Sequence, residues 1–366
     1  MQQIKKMTIV TIPKDLKGVL NNNDDPLRCA VCLKSFGGTL ADVTMNFCCG
    51  RMACGECNAA GTIYNRLAKI CLLCPKTNNK AKIGTLKKHA KRGVAWAQFL
   101  LALVFIDEDQ KATQHDTLRW LRKASAKGNP MALSTLSRMY LSGRGCNRDL
   151  GQAQKYGEAL YSSGVSIIRN SGRSVLRELG SEFVSRATLV LSEAAAGEKG
   201  LQILRRLASA DDVTVECKYE LAMAYYNFND FSSSLPWLVA VALDESCGEN
   251  LGRTAGCAML CCDRLDLLPQ TKLWMNLAEK NCFDFTQDKS TKLEVSYLSL
   301  KLRLRILRRS CAHCGVGLTR DTRKLCKGCR TCCYCSVDCQ KHHWAEGSHR
   351  GECKEVTRLK KMLKKG

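Results

Sequence analysis

Cysteine sets the first limit on what this chain can fold into. Of its 24 cysteines, eight lie between residues 29 and 74 and nine between residues 311 and 353. Most of these stand as Cys-x-x-Cys pairs. The opening residues, MQQIKKMTIVTIPKDLKG, contain no apolar stretch of the kind that marks secretion. The sequence therefore predicts an intracellular protein, cytoplasmic or nuclear, in which thiols stay reduced and paired cysteines read as metal ligands rather than disulfides. A Cys-x-x-Cys knuckle holds two sulfurs at bonding distance to one ion, and two such pairs close a tetrahedral zinc site.

The first cluster supplies four pairs: Cys29 with Cys32, Cys48 with Cys49, Cys54 with Cys57, and Cys71 with Cys74. Eight thiolates are enough for two zinc ions. A module of about fifty residues buries too little apolar surface to be stable alone, so metal ligation would supply the missing folding energy. The second cluster reads Cys311-x2-Cys314-x11-Cys326-x2-Cys329-x5-Cys335-x3-Cys339-x9-His349-x3-Cys353. His349, four residues before Cys353, fits one turn of a helix. His342 and His343 read as solvated surface rings, and Cys332 and Cys333 as packing residues. Eight ligands close both zinc sites of this second cluster, so no open position is left there for metal-assisted catalysis.

Between the clusters the chain is rich in Ala and Leu and has a helical pattern. Proline is scarce, at 6 in 366 residues, so helices can run long. Ala97, Leu101 and Phe105 are matched 35 residues later by Ala132, Leu136 and Tyr140, and Gly93 by Gly128. Small, apolar and aromatic residues at four-residue steps line one helical face, and a period near 35 marks a helix-turn-helix solenoid. Segments 217–243 and 253–280 read as helical hairpins, whereas 162–215 is helical but off register. The longest apolar run, Val94 to Ile106, is too short to span a bilayer and is interrupted by Gln98. A mainly α fold follows: a central helix-turn-helix solenoid flanked by two small zinc-binding modules, each a cross-brace in the family that it resembles. The expected divisions are an N-terminal segment 1–25, a zinc module 26–77, a basic linker 78–92, helical repeats 93–305, a second zinc module 308–356 and a basic tail 357–366.

These motifs carry three resemblances. The ordered cysteines of residues 29–74 resemble a RING finger. That resemblance implies one zinc on Cys29, Cys32, Cys54 and Cys57 and a second on Cys48, Cys49, Cys71 and Cys74. Arg51 falls in the slot where the family places a histidine, so adjacent Cys48 and Cys49 must both serve, with Gly50 tolerating the turn that this requires. Pro75 replaces the basic residue of RING ubiquitin ligases, and Lys76 comes one place late. The C-terminal string, with Tyr334, Gln340 and Trp344, resembles a MYND finger. This implies one zinc on Cys311, Cys314, Cys335 and Cys339 and another on Cys326, Cys329, His349 and Cys353, hence four zinc ions per chain. It also implies that Gln340 and Trp344 bind short peptides containing proline and leucine. The repeat, with Trp120, Lys123 and Ala124 in the first unit and Asp149, Ala153 and Tyr156 in the second, is similar to Sel-1-like repeats over residues 88–160.

The formal net charge of +23 falls to about +16 once zinc-bound thiolates are counted. Basic runs lie at 76–92, 301–309 and 354–365, but no RNA- or DNA-binding fold signature accompanies them. Proteins are therefore the expected partners, nucleic acid is the disfavoured alternative, and no membrane is expected. The sequence reads as a zinc-binding interaction scaffold, with no catalytic residue of its own. The alternative is a RING-type ubiquitin ligase that recruits a ubiquitin-conjugating enzyme.

Overall fold

The computed structural model describes residues 43–45, 52–54, 82–106, 111–189, 194–211, 213–281, 291–347 and 349–363. It divides into two compact units, Met1–Gly180 and Ser181–Gly366. The fold is mainly α, with fourteen helices among the described residues. Between residues 82 and 309 no described residue lies in a strand. No described helix is long and apolar enough to cross a membrane.

In the first unit, β1 (Val43–Met45) pairs antiparallel with β2 (Met52–Cys54), setting Val43 opposite Cys54. Cys54 thus lies on β2. Cys29, Cys32, Cys48, Cys49, Cys57, Cys71 and Cys74 lie outside the described residues. Five helices follow, α1 (Lys82–Lys91), α2 (Ala95–Ile106), α3 (Lys111–Ala126), α4 (Pro130–Ser142) and α5 (Leu150–Tyr161), each packed on the next. The long α6 (Ser166–Leu189) then carries the chain into the second unit.

The 35-residue period is built into this stack. Ala97, Leu101, Ala132 and Leu136 are all buried, as is Tyr140, while Phe105 is half-buried. Gly93 and Gly128 hold the same place before α2 and α4, and both are left-handed, with φ of 87° and 74°. Only glycine takes that conformation without a Cβ clash. The Asn129 side chain accepts the Ala132 N–H at 2.9 Å and that of Asp149 accepts the Gln152 N–H at 2.9 Å, so α4 and α5 are both capped. Arg122 on α3 donates to the Tyr140 hydroxyl at 2.7 Å and ties one helix pair to the next.

Part of the basic stretch read as a linker is helical: it forms α1. Leu86 and Ala90, four residues apart, bury one stripe of α1, while Lys87, Lys88 and Lys91 stay exposed. Gln98 of α2 closes the contact by donating to the Ala90 carbonyl at 3.1 Å.

The second unit contains α7 (Ala194–Ala208), α8 (Val215–Asn227), α9 (Phe231–Ala242), a 3-10 segment Glu245–Asn250, α10 (Leu251–Arg264), α11 (Leu268–Lys280) and α12 (Thr291–Leu307). The two expected hairpins are α8 with α9 and α10 with α11. Their core gathers Leu238, Met259, Leu260 and the fully buried Trp274. Cys261 and Cys262 of α10 sit in this core as packing residues. Burial pushes the Cys261 thiol up to about 11 and Cys262 well above the usual thiol range, so neither carries thiolate character. A small module completes the unit, with β3 (Lys324–Leu325) antiparallel to β4 (Cys333–Tyr334), then α13 (Val337–Glu346) and α14 (His349–Met362). Helix α14 packs on α11: its Leu359 enters the helical core, and Leu273 of α11 touches both that core and the cysteine-rich one.

Candidate metal centre

Two knuckles start the module. In the first, the N–H of Gly315 donates to the Cys311 carbonyl at 2.9 Å. In the second, the N–H of Arg330 donates to the Cys326 carbonyl at 2.9 Å. Both turns need a left-handed residue just after the second cysteine, with φ of 72° at Gly315 and 59° at Arg330. Ser336 caps α13 by accepting the Cys339 N–H at 3.1 Å, which fixes Cys339 in the first turn. His349 and Cys353 stand one turn apart at the start of α14.

These elements bring eight side chains into two tetrads, Cys311, Cys314, Cys335 and Cys339 in one and Cys326, Cys329, His349 and Cys353 in the other. The ligand atoms of each tetrad lie within 4.8 Å of one another. A zinc–sulfur bond of about 2.3 Å implies tetrahedral S···S edges of about 3.7 Å. Observed edges are 3.7 Å for Cys314 to Cys335, 3.5 Å for Cys335 to Cys339 and 3.6 Å for Cys326 to Cys353. His349 Nε2 lies 3.4 Å from Cys326 Sγ and 3.9 Å from Cys329 Sγ. The spacing fits a zinc ion at the centre of each tetrad, with no rearrangement of the chain. Because the pairs alternate along the sequence, the two sites cross-brace the module.

The electrostatics draw one thiol of each tetrad down, Cys311 and Cys329, and push Cys314, Cys335, Cys326 and Cys353 up. Burial pushes Cys311 up, but backbone N–H groups of Cys314, Cys335 and His313 outweigh it and hold the thiol down at about 6. In the second tetrad the thiols of Cys326 and Cys332 act on Cys329 and draw it far below the ordinary thiol range, while Cys326 and Cys332 are pushed up in return.

Several groups around the second tetrad escaped the sequence. Lys272 of α11 donates to the Arg330 carbonyl at 2.6 Å, and Lys360 of α14 to the carbonyls of Gly328 and Cys329 at 3.2 and 3.3 Å. Two ammonium groups therefore sit on the backbone of one knuckle. Burial and the Arg308 guanidinium bring Lys272 down to about 8, against the pull of nearby Cys329 and Cys333. Cys332 places its sulfur 3.4 Å from His349 Nδ1, so it is a neighbour of the imidazole as well as a packing residue. Cys333 is buried on β4. His342 is exposed, as expected. His343 is not the solvated ring that its spacing suggests: it is half-buried, with its Nδ1 3.0 Å from the Tyr334 hydroxyl, and stacks on His349 at 5.2 Å.

Beside the second tetrad lies a groove of about 440 Å³ lined by Cys326, Gly328, Gln340, Trp344, Cys353, Lys354, Thr357, Arg358 and Lys361. Gln340 and Trp344 reach it from α13, and the cations from α14. Trp344 is half-buried and meets the His349 ring edge-on at 5.8 Å.

Two interleaved Cys/His tetrads on short strands and two helices define a small cross-braced zinc finger. Residues 311–353 match the family model of the MYND finger. MYND fingers are zinc-binding modules of protein–protein interaction. No curated protein matches the chain.

Proposed function

We propose that the chain is a zinc-organised interaction scaffold whose MYND finger docks short peptides of partner proteins between Gln340 and Trp344. The observation that carries this reading is the groove beside the second tetrad. It has an apolar aromatic wall, a hydrogen-bonding amide and a volume suited to a few peptide residues. The helix pairs that precede the finger, read as Sel-1-like repeats, offer a second protein-binding surface, and two weak sites on one chain raise avidity for a partner that carries both epitopes. The N-terminal cysteines Cys29, Cys32, Cys48, Cys49, Cys54, Cys57, Cys71 and Cys74 bind a further two zinc ions in this reading. Elemental analysis of the purified protein then gives four ions per chain, and two or fewer would remove the N-terminal pair. The docking is tested by fluorescence anisotropy with a labelled peptide containing proline and leucine. Trp344→Ala should weaken binding at least tenfold and Gln340→Ala less, with zinc content unchanged. Equal binding by wild type and Trp344→Ala would exclude this groove.

A further inference from the structure

The groove selects by charge as well as by shape. Lys354, Arg358 and Lys361 recur at i, i+4 and i+7 of α14, so they form one stripe on the wall facing Gln340 and Trp344. No lining residue is acidic. Arg358 is committed to Glu355, at 2.6 and 2.8 Å. Lys354 and Lys361 form no ion pair among the described residues. A filled second tetrad, with three thiolates and one imidazole, would add a single negative charge under the floor. Lys360 and Lys272 lie on that knuckle's carbonyls and offset it. The rim therefore remains cationic around an apolar anchor site made by Trp344, Gly328 and the knuckle sulfurs.

We infer that the partner segment is an acidic peptide with one apolar anchor and two carboxylates about three residues apart. This rests on the docking reading above and deepens it. Lys361 lies seven positions beyond Lys354, about 10 Å along the axis. A peptide in the polyproline II conformation covers that distance in about three residues, and its three-residue turn returns positions i and i+3 to the same face. Carboxylates at i and i+3 thus meet both ammonium groups while the apolar side chain at i+1 enters the groove.

The test uses the full zinc-loaded chain and three fluorescein-labelled peptides that differ only around a Leu-Pro pair: Asp-Leu-Pro-Glu, Asn-Leu-Pro-Gln and Lys-Leu-Pro-Lys. At low ionic strength the acidic peptide should bind about tenfold tighter than the neutral one, and the basic one weakest. The gap should close towards twofold near 0.5 M salt, where the screening length is only a few ångström. The double variant Lys354→Glu and Lys361→Glu should invert the order of the acidic and basic peptides while retaining zinc. Equal affinities for all three peptides would overturn the charge selection and leave docking intact. No binding of any peptide would overturn the docking reading itself. A single-stranded oligouridylate that binds tightly, with no preference among peptides, would overturn both in favour of nucleic acid.

Discussion

Gly315 and Arg330 do the same work in two knuckles, yet only one of them is a glycine. A left-handed non-glycine residue costs roughly 1–2 kcal/mol in its backbone, so Arg330 is held there by the turn and by Lys272 on its carbonyl. Arg330→Gly should raise the stability of the zinc-loaded protein by about 0.5–1 kcal/mol in urea unfolding, whereas Gly315→Ala should lower it by about 1 kcal/mol. A loss of stability in Arg330→Gly would mean that its side chain, not its backbone, matters. Lys272→Met removes the ammonium from the Arg330 carbonyl. It should make zinc about tenfold easier to withdraw with a competing chelator while leaving helix content unchanged, and an unaltered chelation curve would reduce Lys272 to a surface contact. The grouping of the eight C-terminal Cys and His side chains into two tetrads was legible because their spacing and order are local. Lys272 was not, because it acts 58 residues away in sequence, and nothing in its neighbourhood marks it. The fate of His343 was hidden for a similar reason, since its partner Tyr334 comes from β4.

Helix pairs owe their spacing to a few small residues. At Gly172 of α6 a Cβ would collide with the backbone of Tyr161 in α5, and at Gly157 one would press on Val175 and Leu176 at 3.2 Å. Gly172→Ala should therefore cost about 2–3 kcal/mol, read as a lower thermal midpoint, because the obstacle is backbone and cannot turn aside. A midpoint equal to wild type would mean that the two helices cross at a greater distance. Asp244, before the 3-10 segment, accepts from Ser246 and from Lys218 of α8, and these hold its carboxyl at about 2. A carboxyl held below its unfolded value of about 3.9 stabilises the fold above that pH and loses the contribution as pH falls towards 2. The pair is partly solvated, so Asp244→Ala should cost about 1 kcal/mol at neutral pH, and the difference from wild type should vanish near pH 2. A pH-independent difference would point instead to the lost turn contact. The 35-residue period revealed α2 to α5, and their glycines marked the turns. It missed α1, where two buried residues among four lysines give too faint a stripe. The 24-residue α6 lies outside any such period, and the repeat pattern ends there.

Across the whole molecule, basic charge and zinc thiolates belong to one design in the C-terminal module. The tetrads fix two knuckles and the start of α14, and α14 then presents a cationic wall to Trp344. The composition foretold a basic chain built around metal, but not that its bases would gather on one face of a groove, which depends on how α13 meets α14. Cys353 is the residue on which the account turns, because it both belongs to the second tetrad and lines the groove. Zinc at that site and peptide docking should be lost together. Native mass spectrometry of the full chain with an acidic Leu-Pro peptide reads both masses at once. Wild type should carry the peptide, and Cys353→Ser should lose one zinc ion and the peptide in the same spectrum. A variant that lost the ion yet kept the peptide would contradict the claim that the metal builds the docking site.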